Sequence, residues 1–136
     1  MTVLDDIRSE AFDKVNWHYA EVLAEVTGDA SPEERDTWAP KLYAASMLLS
    51  GNATDSQAFM ISAEATGAGV TAPEMAMAII GKGQEYEATV GVLSGQLQAH
   101  LRMIAGAESE EAITTISEGA RDAMLGAVAQ LKAAQS

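Results

Sequence analysis

Apolar positions recur at steps of three and four along most of this chain, and those steps predict helices. Leu4, Ile7, Ala11, Val15, His18, Val22 and Val26 form one stripe over residues 3–27, widened by Tyr19 and Leu23. Asp5 and Asp6 fall in its first turn, where the helix dipole favours negative charge. "TGDASPEE" then breaks the pattern. Gly28 suits a C-terminal cap, Ser31 an N-cap, Pro32 the first helical position and Glu34 the acid of a capping box. A second helix is therefore expected from about Ser31 to Ser50, kinked or restarted at Pro40, whose ring cannot donate to the preceding turn. "SGNATD" is a loop, Thr54 or Asp55 caps a short third helix through Thr66, and the glycine-rich "TGAGV" ends it.

"TAPE" at 71–74 repeats the start signal, with Thr71 as N-cap, Pro73 in the first turn and Glu74 completing the box. A fourth helix then runs to about Ala105, on the order of 34 residues and roughly 50 Å at 1.5 Å per residue. Its seam alternates steps of four and three: Ile79, Gly83, Tyr86, Val90, Leu93, Leu97, His100 and Ile104, a heptad-like surface for packing other helices. Ser109 caps a last helix whose stripe is Ile113, Ile116, Ala120, Met124, Ala127 and Leu131, interrupted by Gly119. No segment alternates cleanly enough for a strand. The expectation is an all-α single-domain bundle of four to five helices. Its long helix covers about 72–105, with an N-terminal amphipathic helix at 1–30 and the bundle proper at 31–136.

Two glycines sit inside that long helix off its seam. Glycine in a helix interior costs about 1 kcal/mol against alanine, so the pair Gly91 and Gly95, one turn apart, calls for a reason. Either they make a shallow groove where a second helix, of this chain or another copy, approaches at backbone distance, or they are tolerated surface glycines.

Composition narrows the function classes. The 136 residues suit one domain; 48% are hydrophobic but only 5% aromatic, which favours closely packed helices. Twenty acids against eight bases give a net charge of −12, which opposes nucleic-acid binding and docking on anionic membranes. The acids are spread through every helix, which argues against a charge mimic of nucleic acid. With no cysteine, thiolate chemistry, disulfides and Cys-based metal sites are excluded. "MTVLDDIRSE" turns acidic too early for a signal peptide, and no run is long and apolar enough to span a membrane.

Candidate chemistry is sparse. His18 and His100 each lie on an apolar stripe, as core-edge histidines do, and neither belongs to the Glu-x-x-His pair of a di-iron bundle, since positions 15 and 97 are Val15 and Leu97. Asp6, Glu10 and Asp13 make a column of carboxylates on one helix face, without the wrapped oxygens calcium prefers. No P-loop, nucleophile elbow or dinucleotide fingerprint is present. Seven methionines suit core filling in an aromatic-poor bundle, or an adaptable surface. Trp17 and Trp38 are the large anchors available for a core or an interface.

Three pieces in order resemble a helical domain family from the tail-gene clusters of tailed bacteriophages. They are "EERDTWAPKLYAASMLL" (33–49), with its Thr37–Trp38 pair; "GVTAPEMAMAIIGKGQEYEATVGVLSGQLQ" (69–98), with a lone Tyr86 and then Gly91, Gly95 and Gln96; and "MIAGAESEEAITTI" (103–116). Members of that family often carry an arginine near the second glycine, where this chain has Gln96 and Leu97, and a glutamine and glutamate where it has Lys41 and Ala44. The resemblance implies a non-enzymatic virion component associated with tail fibres, tail tip or baseplate, with other tail proteins, or itself as a homo-oligomer, as partners. On the charge and motifs above, no cofactor, no metal, no nucleic acid and no membrane is expected. Trp38, Tyr86, Gly91, Gly95 and Leu97 are the candidate packing or partner-interface residues. The place would be the virion tail, or the host cytoplasm during assembly. Two alternatives accompany this expectation: a tail-fibre assembly chaperone absent from the mature particle, and an acidic host-directed inhibitor.

Overall fold

The computed structural model describes residues 2–28 and 32–135, and the side chains of residues 32–35 lie outside that description. Among the described residues there are five helices and no strand: α1 (Val3–Val26), α2 (Pro32–Ser50), α3 (Asp55–Ala68), α4 (Ala72–Gly106) and α5 (Glu110–Gln135). The chain is all-α, as the periodicity predicts.

Helix starts follow the capping chemistry. Thr71 and Glu74 exchange both bonds of a capping box, each at 3.2 Å, and Ser109 Oγ accepts from the backbone N–H of Ala112 at 3.1 Å. Thr54, with Gln57, does the same for α3. Thr2 and Asp5 make a further box at the start of α1, with Thr2 two residues before Leu4, where the stripe begins. The expected Ser31 cap lies outside the described residues, and so does the Glu34 side chain. Helix α3 outlasts Thr66 by two residues and stops at Gly69, whose φ of 75° is left-handed and favours glycine. Helix α2 continues through Pro40 without restarting, one amide donor short. Likewise α5 runs unbroken through Gly119.

Contacts divide the chain into two units, residues 1–29 with 88–136, and residues 30–87. This differs from the expected division at 30/31, which set α1 apart from one bundle over 31–136. Both stripes of the first unit need covering, and α1 and α5 cover each other: Ala11, Val15, Val22, Leu93, Ile104, Ile113, Ala120, Met124 and Val128 form one buried core. Fully burying an aliphatic side chain of this size contributes about 1.5–3 kcal/mol. Arg121 of α5 bridges to Glu21 and Glu25 of α1. Arg8 of α1 reaches the carbonyl of Ala107 just past the end of α4. Trp17 is not part of this core. It lies off the α1 stripe and is 61% exposed.

The second unit is smaller and alanine-lined. Ala44 and Ala45 of α2, Ile61 of α3 and Ala76 of α4 form its buried core, with Leu48, Met60, Met75, Ile79 and Ile80 packed against it. Small side chains at the centre let helices approach closely. Lys41 of α2 donates to Glu64 of α3 at 2.9 Å. Helix α4 contributes residues 72–87 to this unit and 88–106 to the other.

Candidate functional site

In the second unit, one face of α2 and one face of α4 bound a groove of about 360 Å³. Its lining comes from α2 at Trp38, Ala39, Leu42, Tyr43 and Ser46, and from α4 at Gly83, Tyr86 and Glu87. The spacing explains the set. Positions 38, 42 and 46 lie one turn apart, as do 39 and 43, and 83 and 87, so each helix presents a short continuous column.

Two contacts shape the groove. Trp38 meets Tyr86 edge to face, with ring centroids 4.5 Å apart and planes at 87°, the geometry that the aromatic quadrupole favours. At Gly83 the missing side chain is filled by Leu42: a Cβ there would stand 3.0 Å from Leu42 Cδ1 and 3.2 Å from Cδ2. Leu42 therefore sinks toward the α4 backbone, while Tyr43 stays 59% exposed on the rim. The Ser46 hydroxyl donates to the Leu42 carbonyl at 3.0 Å, so it serves the helix backbone rather than the opening. Glu87 is the one acidic or basic side chain among the described lining residues. The groove's described lining is thus mostly apolar, with one charged group at Glu87.

Of the residues expected at an interface, Trp38 and Tyr86 are brought together here. Leu97 packs against the core of the first unit, where its place on the α4 seam put it. Gly91 and Gly95 are exposed, and a Cβ on either would meet nothing within 4 Å. Among the described residues nothing packs against either, as the surface-glycine alternative expects, and a close approach is found instead at Gly83. The physical reason is register: Gly83 lies on the seam with Ile79 and Tyr86, whereas 91 and 95 lie off it. Leu42 and Tyr43 were not singled out from sequence, although their spacing from Trp38 and Ala39 carries the signal.

Among the described residues most remaining polar groups have local partners, while Arg8 Nε, His18 Nδ1 and Glu64 Oε2 are buried without a hydrogen bond. His100 is buried, and its Nδ1–H donates to the Gln96 carbonyl at 2.7 Å. His18 Nδ1 lies 3.5 Å from Glu21 Oε1. Hydrogen bonds from Thr2, through its backbone N–H first, hold the Asp5 carboxyl below its usual range, and those from Thr71 do the same for Glu74. Among the described residues no group of three His, Asp or Glu side chains could hold a metal ion. No helix of the described residues is long and apolar enough to cross a membrane. A second, more open depression is lined by Phe12, Asn16, Gln98, Leu101 and Arg102 in the first unit. Asn16 spends its amide on the Phe12 carbonyl at 2.8 Å. No family model, no curated protein and no solved structure matches the chain.

Proposed function

We propose that this chain is a non-enzymatic structural protein of a tailed bacteriophage, a virion component near the tail fibres, tail tip or baseplate that works through helix-to-helix protein contacts. One observation carries the reading. Trp38 and Tyr86 come from two separate pieces of the sequence resemblance, and they meet in one aromatic contact beside an apolar groove. A tryptophan and two tyrosines around a half-open groove are the residue types that anchor protein interfaces. Among the described lining residues no nucleophile is paired with a base, and the one hydroxyl of a serine there, Ser46, is given to the Leu42 carbonyl.

Mass spectrometry of purified particles tests it. Stoichiometric presence in virions supports the structural role. Presence in infected cells with absence from particles assigns the chain to assembly instead, and absence from both removes the tail reading.

A further inference from the structure

We propose that the α2/α4 groove accepts the apolar face of a cationic helix from a partner protein. The proposal deepens the reading of the chain as a contact module and rests on it. Shape sets the first requirement. A volume of about 360 Å³ floored by Leu42 and Gly83 and walled by Trp38, Tyr43 and Tyr86 takes side chains presented a turn apart, as an amphipathic helix does when it lies in a hydrophobic groove.

Charge sets the second. Among the described lining residues Glu87 is the one acidic or basic group, and Lys41 of α2 is committed to Glu64 at 2.9 Å. The whole chain carries −12. An apolar helix flanked by Lys or Arg gains attraction on approach and a partner for Glu87 on arrival. A second copy of this chain would bring another −12, and like-charge juxtaposition opposes its docking. The observations therefore favour a basic partner over self-association.

Trp38 itself reports occupancy. The chain has two tryptophans, and Trp17→Phe at its exposed site leaves Trp38 as the sole indole. Three synthetic peptides of about five helical turns serve as probes: one with a leucine face and lysines elsewhere, one with the same leucine face and glutamates, and one with lysines but serines on the apolar face. The leucine/lysine peptide is expected to shift Trp38 emission saturably, and Tyr43→Ser to weaken it about tenfold or more, as loss of an anchor does. Tyr43 is 59% exposed, so circular dichroism should show that variant folded. Glu87→Gln is expected to weaken binding less and to flatten its dependence on salt.

Equal shifts from the serine/lysine peptide would reduce the effect to bulk attraction and overturn the proposal. Equal shifts from the glutamate peptide would remove the charge requirement, and no shift from any of them would remove the groove as a docking site. A dimer in sedimentation equilibrium that Tyr43→Ser dissolves would place a second copy in the groove and overturn the cationic partner. The titration is independent of the particle measurement. A failed titration leaves the tail assignment standing, and absence from particles leaves a positive titration standing.

Discussion

Leu42 fills the place of the side chain that Gly83 lacks, its δ-methyls 3.0 and 3.2 Å from where a Cβ would sit. The same test leaves Gly91 and Gly95 with nothing within 4 Å. Three glycines of one helix thus have opposite reasons to be substituted or kept. At 91 and 95 only helix propensity acts, so Gly91→Ala and Gly95→Ala should each stabilise by up to about 1 kcal/mol. At 83 the same gain is opposed by a methyl against Leu42, so Gly83→Ala should fall short of the other two. Gly83→Leu should lose about 1–3 kcal/mol through overpacking. Denaturant unfolding of the four variants checks this. Equal gains at all three alanine positions would mean that Leu42 moves aside freely.

How far the sequence is legible depends on which signal is asked. Caps at Thr71, Ser109 and Thr54 are local chemistry, and they stand where the residues placed them. The α1 stripe and the α4 seam are periodic, and Val15, Val22, Leu93 and Ile104 are buried on them. Period decided between the two places residue type allowed: tryptophan suits a core or an interface, and Trp17, off the stripe of Val15 and Val22, is exposed and outside the core. The partition of α4 between two cores was not legible, because an unbroken seam does not say which helix covers each turn. The groove needs two helices at once; the sequence marks Trp38 and Tyr86 of its lining as interface candidates and Gly83 only as a seam position.

Arg8 should matter more than a surface cation. Its guanidinium donates to the Ala107 carbonyl at 2.6 Å, just past the end of α4, with a side chain 23% exposed. A cation at a helix C-terminus answers both the orphan carbonyls and the dipole. Arg8→Ala should cost about 1.5–3 kcal/mol, the range for a hydrogen bond to a charged group, and Arg8→Lys should recover part of it. Thermal unfolding of both variants decides. A melting temperature unchanged in Arg8→Ala would show that water replaces the contact fully.

Arg121 predicts a salt dependence. It bridges Glu21 and Glu25 of α1 from α5. Hydrogen bonding to Glu25 leads the causes that raise its pKa. The side chains are a third to a half exposed, so the attraction is screened. Arg121→Met should lower the melting temperature most at low ionic strength, with the gap from the parent closing as salt is added. A gap that does not change with salt would assign the loss to packing of the arginine stem.

Acid should release the caps. Asp5 and Glu74 have carboxyl pKa values lowered by hydrogen bonds from Thr2 and Thr71. A group whose pKa is lower folded than unfolded stabilises the fold fully above its unfolded value, about 4 for a carboxylate. That stabilisation is lost as pH falls through the folded value. Glu74→Gln should therefore lower the melting temperature at neutral pH, and the difference from the parent should shrink as pH falls below about 4. Comparing variant with parent at each pH matters, because protonating any of the twenty acids also relieves the repulsion of a chain at −12. The parent alone would report both effects with opposite signs. A Glu74→Gln deficit that stays constant into acid would mean that the protonated acid holds the box as well as the carboxylate does and better than glutamine, so that charge has no part in this helix start.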